Sequence, residues 1–115
     1  MNQRMTWQAA SDWCKERGAT LACIADAEEN TFVCQTVRTE EPGLESFWGG
    51  GTDHGREGHW RWVDGSPFNY ANWTRRQPDN SGAREHYLQI HLGGAWNDHT
   101  GVHVLPFVAQ WTTAL

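Results

Sequence analysis

Trp60-Arg61-Trp62-Val63-Asp64-Gly65-Ser66-Pro67-Phe68-Asn69-Tyr70-Ala71-Asn72-Trp73 is the stretch on which the reading of the fold turns. Its first residues form a short strand in which Trp60 and Trp62 share one face. Asp64-Gly65-Ser66-Pro67 then carries turn chemistry. From Phe68 to Ala83 periodicity disappears, and Asn, Gly, Pro and Arg dominate. A long irregular segment inside a compact domain is either functional or disordered, and Phe68, Tyr70 and Trp73 provide the anchors of an ordered one.

Toward the N-terminus the period becomes helical. Thr6 is the N-cap of a first helix that carries Ala10, Trp13, Cys14 and Arg17 at helical spacing and stops at Gly18. Ala19 to Ala25 is short, apolar and extended. Asp26 opens a second helix, with Glu29 completing a capping-box pair and Phe32, Val33 and Val37 as the expected buried stripe. Pro42 and Gly43, within Thr39 to Leu44, end it. Phe47-Trp48, Tyr87 to Leu92, Ala95-Trp96 and Val102 to Trp111 supply further strands. The pattern predicts an α+β fold in one domain over residues 1–115, with no internal repeat and no linker.

At 115 residues the chain builds one core, and a domain this small benefits from a metal or another staple. Eight Trp do not by their number separate core packing from platforms for flat ligands; Trp48, Trp60, Trp62, Trp73 and Trp96 read as core, and Trp111 is left open. A net charge of −5, with no basic run longer than Arg75-Arg76, argues against nucleic acid or an anionic membrane as main partner and suits a bound cation. No apolar stretch reaches membrane-spanning length, so membrane insertion is not expected, and the first residues do not read as an export signal. Cys14, Cys23 and Cys34 lack the paired spacing of a zinc knuckle. They read as small buried apolar side chains, with a Cys23–Cys34 bridge left open.

The residues that carry chemistry are oxygen donors: Gln77, Asp79, Glu85, Asn97 and Asp98. Calcium takes about six to eight oxygens from carboxylates, amide carbonyls and waters. The carboxylates here more than neutralise the ion, while the amides add neutral oxygens and keep their NH₂ donors. A vicinal diol suits that set, because it can offer two oxygens to the metal and exchange hydrogen bonds with the ligands. Pro78 fits as well, since a cis bond would turn both flanking side chains toward one ion.

Taken in order, the motifs resemble those of the C-type lectin-like domain family over nearly the whole chain. Gln77-Pro78-Asp79 is similar to the family's sugar-selecting tripeptide and Trp96-Asn97-Asp98 to its second calcium motif, with Glu85 at the spacing of the bridging glutamate. Leu21-Ala22-Cys23-Ile24, Ala27-Glu28-Glu29-Asn30, Phe47-Trp48-Gly49-Gly50, Trp60 to Gly65 and Asn69 to Trp73 also match. The resemblance implies two helices packed on small antiparallel sheets with a long structured calcium-binding loop. It implies that Gln77, Asp79, Glu85, Asn97 and Asp98 bind both Ca2+ and sugar hydroxyls. The Gln-Pro-Asp order implies galactose or N-acetylgalactosamine rather than mannose. An auxiliary calcium would draw on Asp53, Glu57, Asn80 and Glu85, weakened because Asn80 and His86 stand where carboxylates are usual. The aromatic that often follows the tripeptide is replaced by Asn80-Ser81-Gly82; His99 is the candidate substitute, beside the plain alternative of a solvated histidine. The family's disulfides are missing: Ala109 stands opposite Cys14, and Tyr87 and Gly101 replace the second pair. The implied setting is extracellular, secreted or at the cell surface, with homo-oligomerisation supplying avidity.

Other functions compete. The same fold could serve as a protein- or ice-binding module with a structural or vestigial calcium loop. An enzyme is not expected, because no Ser-His-Asp or Cys-His arrangement stands out and Asp79 and Glu85, as metal ligands, would stay ionised. The six His form no His-Glu-x-x-His helix.

Overall fold

Local capping sets both helices. In the computed structural model, which describes residues 4–56, 58–74 and 85–111, Thr6 Oγ1 accepts the Ala9 N–H at 3.3 Å and opens α1 (Trp7–Glu16). Helix α2 spans Ala27–Glu40, and Asp26 Oδ1 accepts the Glu29 N–H at 2.8 Å. Glu29 returns its carboxylate to the Ala25 N–H at 2.9 Å, so the capping box closes one residue earlier than the sequence pattern implies. The buried stripe of α2 is Asn30, Cys34 and Val37, and Phe32 is 67% exposed. That corrects the expectation for Phe32: two residues from Asn30 is about 200° around a helix, so only one of them can face the core.

Among the described residues there are six strands, the first lying between the helices: β1 (Thr20–Leu21), β2 (Ser46–Thr52), β3 (Arg61–Trp62), β4 (Tyr87–His91), β5 (Trp96–His99) and β6 (Ala109–Gln110). An antiparallel sheet runs in the order β3-β2-β4-β5, and β1 pairs with β6. The final strand is shorter than the sequence pattern suggests. Pro106 has no N–H, and the stretch before β6 makes only isolated bridges, Met5↔Leu105 and Trp48↔Phe107. Strand β2 runs through three glycines because neighbours press on it. A Cβ at Gly49 would meet Ile90 Cδ1 at 2.7 Å, and one at Gly50 would meet the Leu21 carbonyl at 2.7 Å.

The four-stranded sheet divides the interior. Phe47, Trp62, Leu88, Ile90 and Trp96 pack with Cys34 and Val37 of α2 on one face. Trp48 packs with Trp7, Cys14, Leu21 and Phe107 on the other, beneath α1. All three cysteines are free and buried, so the open Cys23–Cys34 bridge is absent. Burial pushes the Cys14 thiol up to about 11 and the Cys23 thiol up to about 12, which makes both poor nucleophiles. Where the family resemblance implied a second disulfide, the Tyr87 ring stacks on Trp7 at 4.5 Å. It also lies so close to Gly101 that an added Cβ would fall 2.6 Å from Tyr87 Cδ2. Gly101 sits at φ 82°, a conformation that further favours glycine.

Ring packing thus does the work of a cross-link. The urea midpoint is expected to be the same with and without dithiothreitol. Gly101→Ala should cost about 1–3 kcal/mol by the same measurement, from overpacking and the left-handed backbone.

Candidate functional site

Among the described residues β5 is the outer strand of its sheet, and its far side pairs with the chain at Asn72 to Thr74. The Trp96 N–H donates to the Asn72 carbonyl at 2.9 Å, and the Trp96 carbonyl accepts the Thr74 N–H at 2.7 Å. The Trp96 side chain is fully buried, with Nε1 donating to Asn30 Oδ1 at 3.0 Å. Trp62, Tyr70 and Trp73 meet it in edge-on contacts. Asn30 Nδ2 and Asn72 Nδ2 both donate to the Gly94 carbonyl, at 2.9 and 2.7 Å, and close the turn between β4 and β5. Asn30 and Asn72 are positioning residues that the sequence pattern did not single out. For Asn30 the signal was present in its i, i+4, i+7 relation to Cys34 and Val37.

Beyond Trp96 the strand alternates. Asp98 pairs with Leu88, shares its face and is 0% exposed. Asn97 pairs with Gln89 on the α1 side, where its Nδ2 donates to Gln89 Oε1 at 3.0 Å, and Gln89 in turn donates to Ser46 Oγ. The two side chains therefore leave opposite faces of the strand. Main-chain groups alternate too: those of Trp96 face the loop, and the His99 carbonyl faces β4, where it accepts the His86 N–H at 3.1 Å. The Asp98 carbonyl consequently points away from β4, on the same side as that of Trp96. An ion on that side of β5 is reachable from both faces and from the backbone. With the Asn97 NH₂ committed to Gln89, its oxygen is the atom left for a metal.

Glu85 is half-buried beside His86, at the start of β4. Gln77, Asp79, Asn80 and Glu57, together with Pro78, lie outside the described residues. Among the described residues no group of three or more His, Cys, Asp or Glu side chains is gathered closely enough to hold a metal. By donor chemistry, Glu85, Asn97 and Asp98 suit calcium but supply only part of the six to eight oxygens that such an ion takes, roughly.

Asp53 has a different setting. Its carboxylate is 1% exposed, with Oδ1 2.9 Å from His86 Nδ1 and Oδ2 accepting the Gly58 N–H at 2.8 Å. Both oxygens are engaged by nitrogen partners within the protein, which compensates the buried carboxylate without a cation. His99 lies on the face opposite Asp98, edge-on to Trp48 at 5.1 Å, with Nδ1 accepting the Gly101 N–H at 3.0 Å. This structure does not bring His99 to Asp98. Burial, and then the neighbouring His103, hold the His99 imidazole below its ordinary value. An apolar groove of about 270 Å³, lined by Val37, Phe47, Phe107 and Val108 among others, lies by α2 and shares no residue with the donor set.

Comparison with known proteins agrees with this architecture: residues 3–110 match the lectin C-type domain. The chain belongs to that family. It is 36% identical over 95 residues to the galactose-specific lectin nattectin of Thalassophryne nattereri, covering 82% of this chain and 60% of that protein. The first such relatives are longer, and the chain spans 20%, 60% and 50% of their lengths. Among solved structures, the C-type lectin CEL-I from Cucumaria echinata superposes with a TM-score of 0.93 at 29% identity, over 97% of this chain and 86% of that one. Herring type II antifreeze protein superposes at 0.86 with 31% identity, over 97% and 87%. The family and its named lectins are carbohydrate-binding proteins, not enzymes.

Two outcomes follow from this geometry. Asn30→Ala strips the buried Trp96 N–H of its acceptor and should cost about 1–3 kcal/mol in urea denaturation. For His99, a folded value below the unfolded 6.5 means its stabilisation is complete above that value and lost as pH falls through the lower folded one. In EDTA, the urea midpoint should therefore fall on acidification below about pH 6.5, and fall less steeply in His99→Gln.

Proposed function

We propose that this chain is a calcium-dependent lectin domain that binds galactose- or N-acetylgalactosamine-type sugars. Gln77, Asp79, Glu85, Asn97 and Asp98 hold one ion, and the ion takes two hydroxyls of a vicinal diol directly. One observation carries the reading. Thr74 is bonded to Trp96, and His86, next to Glu85, is bonded to His99. The segment that carries Gln77 and Asp79 thus leaves and rejoins the described structure at the strand that bears Asn97 and Asp98.

The Gln-Pro-Asp order supports a galactose-type preference, since exchanging amide and carboxylate exchanges donors and acceptors around the diol. The likeness to a galactose-specific lectin points the same way. Glycans of this kind place the module outside the cell, where calcium is plentiful and several copies add avidity. Among the described residues no helix is long and apolar enough to cross a membrane. The likeness to an antifreeze protein keeps ice binding as a second reading, which a thermal-hysteresis measurement separates from sugar binding.

Isothermal titration should show heat with galactose in calcium, less with mannose and none in EDTA. Equal heats after chelation would end the proposal. Asp98→Asn should weaken calcium more than about tenfold, since even groups outside the ligand shell cost that much. The double change Gln77→Glu with Asp79→Asn should shift the galactose-to-mannose ratio toward mannose. Acid should release ion and sugar together, because the ligands must be ionised.

A further inference from the structure

Asp53 lies just past the end of β2, where the chain leaves the sheet for the turn that runs to His59. A carboxylate this deeply buried needs compensation for its lost hydration. It finds that compensation in the protein: His86 Nδ1 at 2.9 Å from Oδ1 and the Gly58 N–H at 2.8 Å from Oδ2. A carboxylate oxygen is an acceptor, so the pairing calls for the tautomer with the proton on Nδ1, aimed at Oδ1.

The histidine backbone is held from three strand ends. Its backbone N–H donates to the His99 carbonyl at 3.1 Å, and its carbonyl accepts from the Asp53 N–H at 3.2 Å and the Thr52 hydroxyl at 2.7 Å. His86 is thus a joint between the ends of β2, β4 and β5, and its ring is delivered to Asp53 by that joint. The turn beyond is likewise closed by its own bonds. Thr52 Oγ1 accepts the His54 N–H at 3.0 Å, the Asp53 carbonyl accepts the Arg56 N–H at 3.0 Å, and the Arg56 carbonyl accepts the His59 N–H at 3.0 Å.

We infer that the Asp53–His86 pair stands in place of an auxiliary cation, so that this chain binds one calcium ion rather than two and shapes the Thr52–His59 turn without metal. The count of one rests on the proposed lectin site; the claim about the pair does not. Removing Asp53 from the auxiliary set leaves Glu57, Asn80 and a Glu85 already shared with the principal ion. Backbone carbonyls and water would then have to supply most of the about six to eight oxygens that calcium takes, which leaves a weak site.

Calcium titration of the whole chain by calorimetry, without sugar, reads the stoichiometry. One equivalent is expected, and His86→Asp, which removes the N–H donor and adds a carboxylate, should bind one more than wild type. Two equivalents in wild type, or no gain in His86→Asp, would overturn the inference. No binding in wild type would instead sink the lectin site, with the gain in His86→Asp still deciding the pair. Should His86→Asp not fold, amide exchange at Gly58 in wild type decides. Protection within about twofold with EDTA and with calcium supports the pair, and protection lost in EDTA overturns it.

Discussion

The Trp96 side chain is the contact on which the rest of the molecule depends. Its indole N–H ends on Asn30 of α2, its ring takes the edges of Trp62, Tyr70 and Trp73, and its main chain pairs with Asn72 and Thr74 of the long loop. One residue therefore fastens helix, loop and sheet edge together. Asn97 and Asp98 follow it directly, so a buried aromatic sets their place at the outer strand. In a small domain that is an economical way to preorganise a binding edge, because the ordering entropy is paid in folding.

Two staples implied by the family resemblance are met here by side-chain packing. The position of one disulfide is filled by Tyr87 against Trp7 and Gly101. Where the resemblance implied a second cation, His86 meets Asp53 at 2.9 Å. Both contacts lie near the start of β4 and tie that end of the strand to its neighbours. Glu85, which adjoins both, is left to the principal ion in the proposed lectin.

Much of this was legible in the sequence, and particular residues show why. Thr6 and Asp26 announce their helices because N-cap chemistry is local. The strands at Trp62, Leu88 and Trp96 show through alternation, and the motifs around them identify the family. Apolar character alone assigns Phe32 to the core, whereas the helix turns a polar Asn30 inward to meet Trp96. No local pattern could reveal that bond, since its partners are 66 residues apart. The pairing of Asp53 with His86 is equally non-local, 33 residues apart, and a resemblance to metal-binding relatives pointed the other way. The opposite facing of Asn97 and Asp98 follows from strand period alone. What period could not tell is that β5 lies at the edge, where opposite faces can serve one ion.

A crystal structure grown with calcium and galactose tests the central claim most directly. The account predicts one cation beside the β5 edge, bonded to Asp98, Asn97 and Glu85 and to side chains of the Gln77–Asp79 segment, with two adjacent sugar hydroxyls completing its shell. A structure at saturating calcium in which those oxygens meet only water or one another, with no cation among them, would contradict it.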